Sequence, residues 1–171
     1  MAAVVALLRP VNVGGTGMLP NTVLADRCWA AGLSEVQTYL ASGNAVFVSD
    51  QDEAAVRTAL TTARYAHTGR SIGILTRSAI ELTDVVVRNP FAQVPANRVV
   101  TLFVDEALLT RALDGSTGQR DEQVRLGLRE SFVWYPSGQA TSRLRLPSRE
   151  TGMARNMNTV TKLAALAGAL G

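Results

Sequence analysis

The first 76 residues alternate between strand-length and helix-period segments in the order β-α-β-β-α-β, and few folds accept that order. Ala3 to Arg9 is a continuous apolar run, the pattern of a strand buried on both faces. After a loop containing Asn12, Gly14, Gly15, Gly17 and Pro20, the spacing of Val23, Leu24, Cys28 and Ala31 predicts a helix from Asn21, stopped by Gly32. Val36–Leu40 and Ala45–Ser49 flank the turn signal Ser42-Gly43-Asn44 and predict antiparallel partners. Asp50 is expected to cap a second helix reaching about His67, and Ser71–Thr76 is the next strand. This is the split βαβ of a ferredoxin-like unit.

The second half reads less regularly. Ser78–Arg88 is expected to be a helix ended by Asn89-Pro90, because the residue before proline disfavours helical geometry. A strand over Arg98–Val104, a helix from Asp105 through Leu113 and a hairpin of Val124–Gly127 with Phe132–Tyr135 follow. Ser137–Met153 has no clear period, and Asn156–Leu170 closes with a helix. The expected fold is α+β: two ferredoxin-like subdomains, residues 1–77 and 78–171, the second incomplete or irregular and ending in the C-terminal helix.

Composition narrows the chemistry. At 171 residues, 47% hydrophobic and 18% charged, the chain can bury a true core. No apolar run is long enough to span a bilayer, and the apolar start lacks a preceding basic residue and a cleavage site, so neither a membrane nor a secretory signal is expected. One cysteine, Cys28, forbids an internal disulfide and fits a reducing compartment, with cytoplasm as the expected location. Cys28 falls on an apolar helix stripe and His67 at a helix end, which fits a buried inert thiol and a surface imidazole. One cysteine and one histidine exclude a zinc site built from those residues. No cofactor motif is present: the glycines at 14, 15 and 17 miss the dinucleotide spacing, and no Walker pattern occurs. Glu81, Asp84 and Arg88 read as an ion-paired helix face.

The net charge of +3 is unevenly spread. Ser137–Gly171 holds five basic residues (Arg143, Arg145, Arg149, Arg155 and Lys162) against Glu150 alone, and the rest of the chain is slightly acidic. An anionic partner is therefore expected at that end. Lys162 is the only lysine in a chain of 17 basic residues, and its compact, movable ammonium is not mimicked by a guanidinium. At the start of the last helix, Met157, Val160, Ala164 and Ala167 should face the core. Arg155, Asn158 or Thr159, and Lys162 then follow on another face, beside the positive end of the helix dipole.

Four segments together resemble the signature blocks of domain-of-unknown-function family 1697. They are Leu7-Leu8-Arg9-Pro10-Val11-Asn12-Val13-Gly14-Gly15, Thr38–Phe47 around Ser42-Gly43-Asn44, Asn89-Pro90-Phe91, and Ala154–Leu163. The resemblance implies duplicated ferredoxin-like subdomains and no assigned activity. By position it singles out Arg9, Asn12, Gly14, Gly15, Ser42, Gly43, Asn44, Arg155, Asn156, Asn158, Thr159 and Lys162. Two positions depart from the family pattern: Pro10 stands where glycine is common, and Met157 where tryptophan is usual, so Met157 is read as core.

The leading expectation is binding of a phosphorylated or otherwise anionic small molecule where the first loop and the last helix converge. Arg155 and Lys162 would balance its charge, and Asn12, Asn44, Asn156 and Asn158 would orient it. Were the protein an enzyme, Lys162 is the residue best able to act as nucleophile or electrostatic stabiliser. Nucleic acid is the alternative partner, weakened by 5% aromatic content with none between Ser137 and Gly171. A structural or interaction module, with the polar blocks serving only to lock the subdomains, is the third reading.

Overall fold

The computed structural model describes residues 1–9, 21–40, 43–68 (backbone only at 66–68) and 73–171. They form two compact units: Met1–Thr83 with Leu163–Gly171, and Asp84–Lys162.

The first unit contains β1 (Ala2–Leu8), α1 (Asn21–Ala30), β2 (Ser34–Tyr39), β3 (Asn44–Ser49), α2 (Glu53–Thr68) and β4 (Ile74–Ser78), in the expected order. Its antiparallel sheet runs β2-β3-β1-β4, the ferredoxin-like arrangement. One sheet face presents Ala6, Leu8, Ala45, Phe47 and Ile74 to Leu24 and Cys28 of α1 and to Val56 and Leu60 of α2. The other face, with Val5, Leu7, Val46, Leu75 and Arg77, is buried as well, which explains why β1 is apolar without alternation.

Cys28 is fully buried among those apolar groups, and burial pushes its thiol up to about 12. A thiol so rarely ionised is a poor nucleophile. The native protein should therefore resist a thiol-specific reagent at pH 8 and react at once after denaturation. Rapid labelling of the native chain would contradict this packing.

The second unit repeats the plan with different connections. It is built from β5 (Val99–Phe103), β6 (Gln123–Leu126), β7 (Glu130–Trp134) and β8 (Met153–Asn156). Its sheet order, β6-β7-β5-β8, is that of the first sheet strand for strand, again antiparallel. The strand missing from the sequence reading is β8, which begins at the last residue of the stretch that shows no period and ends at the first residue of the expected final helix. A helix follows the fourth strand in each case: α3 (Ala79–Val87) after β4, and α4 (Met157–Leu170) after β8.

Two local expectations need correction. Asp105–Leu113 is not a helix. Its backbone is claimed by the β6–β7 turn: Leu108 N–H donates to Leu128 C=O at 2.8 Å, and Arg129 Nε donates to the Asp105 carbonyl at 2.8 Å. A chain of tight turns through Ser116 follows, so a good capping signal lost to tertiary hydrogen bonds. Asp52, not Asp50, caps α2, accepting Ala55 N–H at 2.8 Å, while Asp50 pairs with the N-terminal ammonium. The helix face of Glu81, Asp84 and Arg88 is wider than expected: Arg88 pairs with Asp84 at 3.8 Å and also with the buried Glu130 carboxylate at 3.1 Å, and Glu81 forms a reciprocal capping box with Ser78.

In place of α1 and α2, the second sheet's corresponding face is covered by irregular chain. Leu113, Leu144 and Leu146 pack there on Val100, Leu102, Val124, Val133 and Tyr135. Phe91 of the Asn-Pro-Phe block is buried against Trp134, ring centres 5.9 Å apart, with the Arg125 guanidinium over its ring.

Candidate functional site

Asn12, Gly14, Gly15 and Ser42, with the side chain of His67, lie outside the described residues. The other singled-out residues fall into two groups, one in each unit.

In the first unit, the end of β1 and the β2–β3 turn meet. Leu7 pairs with Asn44, and Leu8 N–H donates to Gly43 C=O at 2.8 Å. Gly43 has φ of +84°, and a Cβ there would stand 3.0 Å from Leu8 Cβ, so both conformation and space call for glycine. Asn44 is fully buried, and its amide donates to Tyr39 C=O at 2.9 Å. Arg9 N–H donates to Gly73 C=O, and the Arg9 carbonyl accepts from Arg64 at 2.6 Å. Arg64 is itself buried, which lowers its guanidinium to about 10, still charged at neutral pH. Sequence reading missed Arg64, although Val56, Leu60 and Arg64 stand four residues apart and continue one buried stripe.

In the second unit, Arg155 lies in β8 and not on the helix. It is 7% exposed, donates to its own strand at Ala154 C=O (2.9 Å), and burial lowers it to about 10. Asn156 caps α4, its Oδ1 accepting Thr159 N–H at 2.9 Å. Met157, Val160, Ala164 and Ala167 are buried as expected, whereas Asn158 and Lys162 are exposed and Thr159 is buried.

The two strand-to-helix junctions are copies of one another. Arg77 pairs with Val5 at the middle of β1 as Arg155 pairs with Thr101 at the middle of β5. Each arginine is buried and donates to the preceding residue's carbonyl, Arg77 at 2.8 Å, and each precedes the residue that caps the next helix, Ser78 or Asn156. In this correspondence Thr159 stands where Glu81 stands, and Lys162 where Asp84 stands. The first junction carries two carboxylates over its first two turns. The second carries none and gains an ammonium.

Among the described residues no group of three metal-ligating side chains exists, and no helix is long and apolar enough to cross a membrane. The molecule is thus an α+β protein of two units with a common strand order. A family model described as a protein of unknown function, DUF1697, matches residues 1–134, and the chain belongs to that family. The match takes in the first three blocks; Ala154–Leu163 lies beyond it. A solved structure of conserved bacterial protein SP0830 from Streptococcus pneumoniae is similar over 97% of this chain and 98% of that one, with TM-score 0.80 and 22% identity, a likeness of fold. No curated protein matches.

Proposed function

We propose that this protein binds a phosphorylated or otherwise anionic small molecule at the start of α4, with Lys162 and Asn158 contacting it and Arg155 adding positive charge beneath. The observation that carries the reading is the charge reversal between the duplicated junctions. At α3, Glu81 and Asp84 complement the positive helix end from within the chain. At α4 the first turn is free of acidic residues, and Lys162 replaces the acid of the second turn. Arg155 lies one residue before the cap and stays charged at neutral pH. Such a helix end carries no acidic residue of its own in its first turn, and an anion is the charge that complements it. Thr159, buried and uncharged, places no carboxylate where its counterpart Glu81 would repel the ligand.

A melting-temperature screen of inorganic phosphate, sugar phosphates and mononucleotides tests this. A binder present at a hundred times its Kd should add about 2.7 kcal/mol of stability. Lys162→Ala, at an exposed position, should leave the unliganded melting temperature near wild type and remove most of the ligand-induced rise. If no anion shifts the transition, or the shift survives Lys162→Ala, the reading fails.

A further inference from the structure

The chain that replaces the second helix in the Asp84–Lys162 unit builds a different basic feature. Between Ser142 and Arg149, side chains alternate: Leu144 and Leu146 are buried in the core, and Arg143 and Arg145 are exposed. With Ser142, Leu144 and Arg149 they line an open cleft of about 600 Å³. That volume is ordinary for a small-ligand site. Among the described residues, none of the three guanidiniums has an ion pair or a side-chain hydrogen bond.

The acids nearby are held by other groups, and among the described residues none forms an ion pair with the three guanidiniums: Glu122, at the edge of the cleft, accepts from the Ser142 hydroxyl and from Arg120 N–H at 2.6 Å, Asp121 accepts from the Ser137 hydroxyl, and exposed Glu150 is not among the lining residues. The cleft's backbone is nevertheless fixed. Thr117 and Arg145 exchange both N–H···O bonds, at 3.1 and 2.8 Å, and the Gly118 backbone lies directly against the Arg143 carbonyl. Arg149 ends the short 3₁₀ turn Pro147–Arg149 and stands close enough to Tyr135 to oppose the upward pull of burial on that hydroxyl.

From this arrangement we infer a second anion site at Arg143, Arg145 and Arg149, taking a small molecule with a di- or triphosphate group. Three guanidinium forks match the several oxygens of linked phosphates better than a single carboxylate or monophosphate. The lining contains no aromatic ring on which a base could stack, so the phosphates are the recognised part. A compact cleft, and not a basic stripe, favours a small ligand over a nucleic-acid backbone. The site shares no residue with the α4 start and does not depend on that reading.

The probes are inorganic tripolyphosphate, pyrophosphate, orthophosphate and a single-stranded oligonucleotide, assayed by calorimetry on wild type and on single Arg143→Ala, Arg145→Ala and Arg149→Ala variants. Tripolyphosphate should bind more tightly than orthophosphate. Each variant should weaken it about tenfold, as the loss of one charge-assisted contact implies. Lys162→Ala should retain the tripolyphosphate binding event that the arginine variants weaken. The Arg143→Lys, Arg145→Lys double variant preserves the charge and should still lose affinity, because the forks are gone. The proposal is overturned if wild type binds no polyphosphate, if the three alanine variants bind it as wild type does, or if the lysine variant is unimpaired. It is equally overturned if only the oligonucleotide binds, with the steep salt dependence of backbone contacts. Tripolyphosphate binding lost in Lys162→Ala but retained in the arginine variants would place that ligand at α4 and reject this cleft.

Discussion

Arg77→Ala should lower the free energy of unfolding by about 3 kcal/mol, among the largest single-residue effects in the first unit. Arg77 is 2% exposed and heads the largest fully buried side chains, so truncation to a methyl leaves a large hole in a sheet face whose other members are Val5, Leu7, Val46 and Leu75. It also strips the Thr76 carbonyl of the donor at 2.8 Å. Arg77→Met separates these contributions. It refills most of the volume without a buried charge to desolvate, and should recover more than half of the loss. Urea denaturation followed by circular dichroism measures both. A loss below 1 kcal/mol for Arg77→Ala would show that the site collapses freely and that the arginine is not an architectural element. The lysine replacement is not conservative here, since it cannot span the same space with a planar head.

In the second unit the corresponding large effect is Gly118→Ala. Gly118 has φ of +73°, and an added Cβ would come within 2.8 Å of the Arg143 carbonyl carbon and nearer still to its oxygen. Both obstacles are backbone, so neither a rotamer change nor a flexible tip relieves them. Left-handed geometry costs a non-glycine residue about 1–2 kcal/mol, and displacement of the packed segment at Arg143 adds about 1–3 kcal/mol. A total near 3 kcal/mol is expected, with the Thr117–Arg145 bridge opened and tripolyphosphate affinity lost along with it. Gly168 in α4 is the control: a Cβ there meets nothing within 4 Å, and Gly168→Ala should stabilise by about 0.5–1 kcal/mol. Equal melting temperatures for the two alanine variants would refute the assignment of Gly118.

The contrast between these residues marks what the sequence could disclose. Elements whose apolar period matches their environment were legible: β1 as a run, α1 through Leu24 and Cys28, α4 through Met157, Val160, Ala164 and Ala167. Gly43 was legible as a turn glycine, and the structure adds its contact with Leu8. The second unit's connections were not, because long-range bonds decide them. Nothing local around Asp105 reveals that Arg129 will take its carbonyl, and the alternation of Leu144 and Leu146 with arginines is too short to read as an extended segment. Arg77 was invisible for another reason. A single arginine near a strand end looks like a surface residue, and its meaning emerges only when β4 and β8 are superposed by sheet position and Arg155 falls on it. The same superposition turns the +4 of the C-terminal segment from a compositional excess into a difference between matched positions.

The composition of the first unit has a consequence for biosynthesis. Residues 163–171, with Leu163 and Ala167 fully buried, belong to the unit that begins at Met1. The nascent chain must therefore hold its first sheet without that piece while the whole of the second unit is translated. At about 5–20 residues per second this interval lasts several seconds. Throughout it, apolar surface that the finished protein hides is available to chaperones and to misassembly, and the arrival of residues 163–171 ends the exposure.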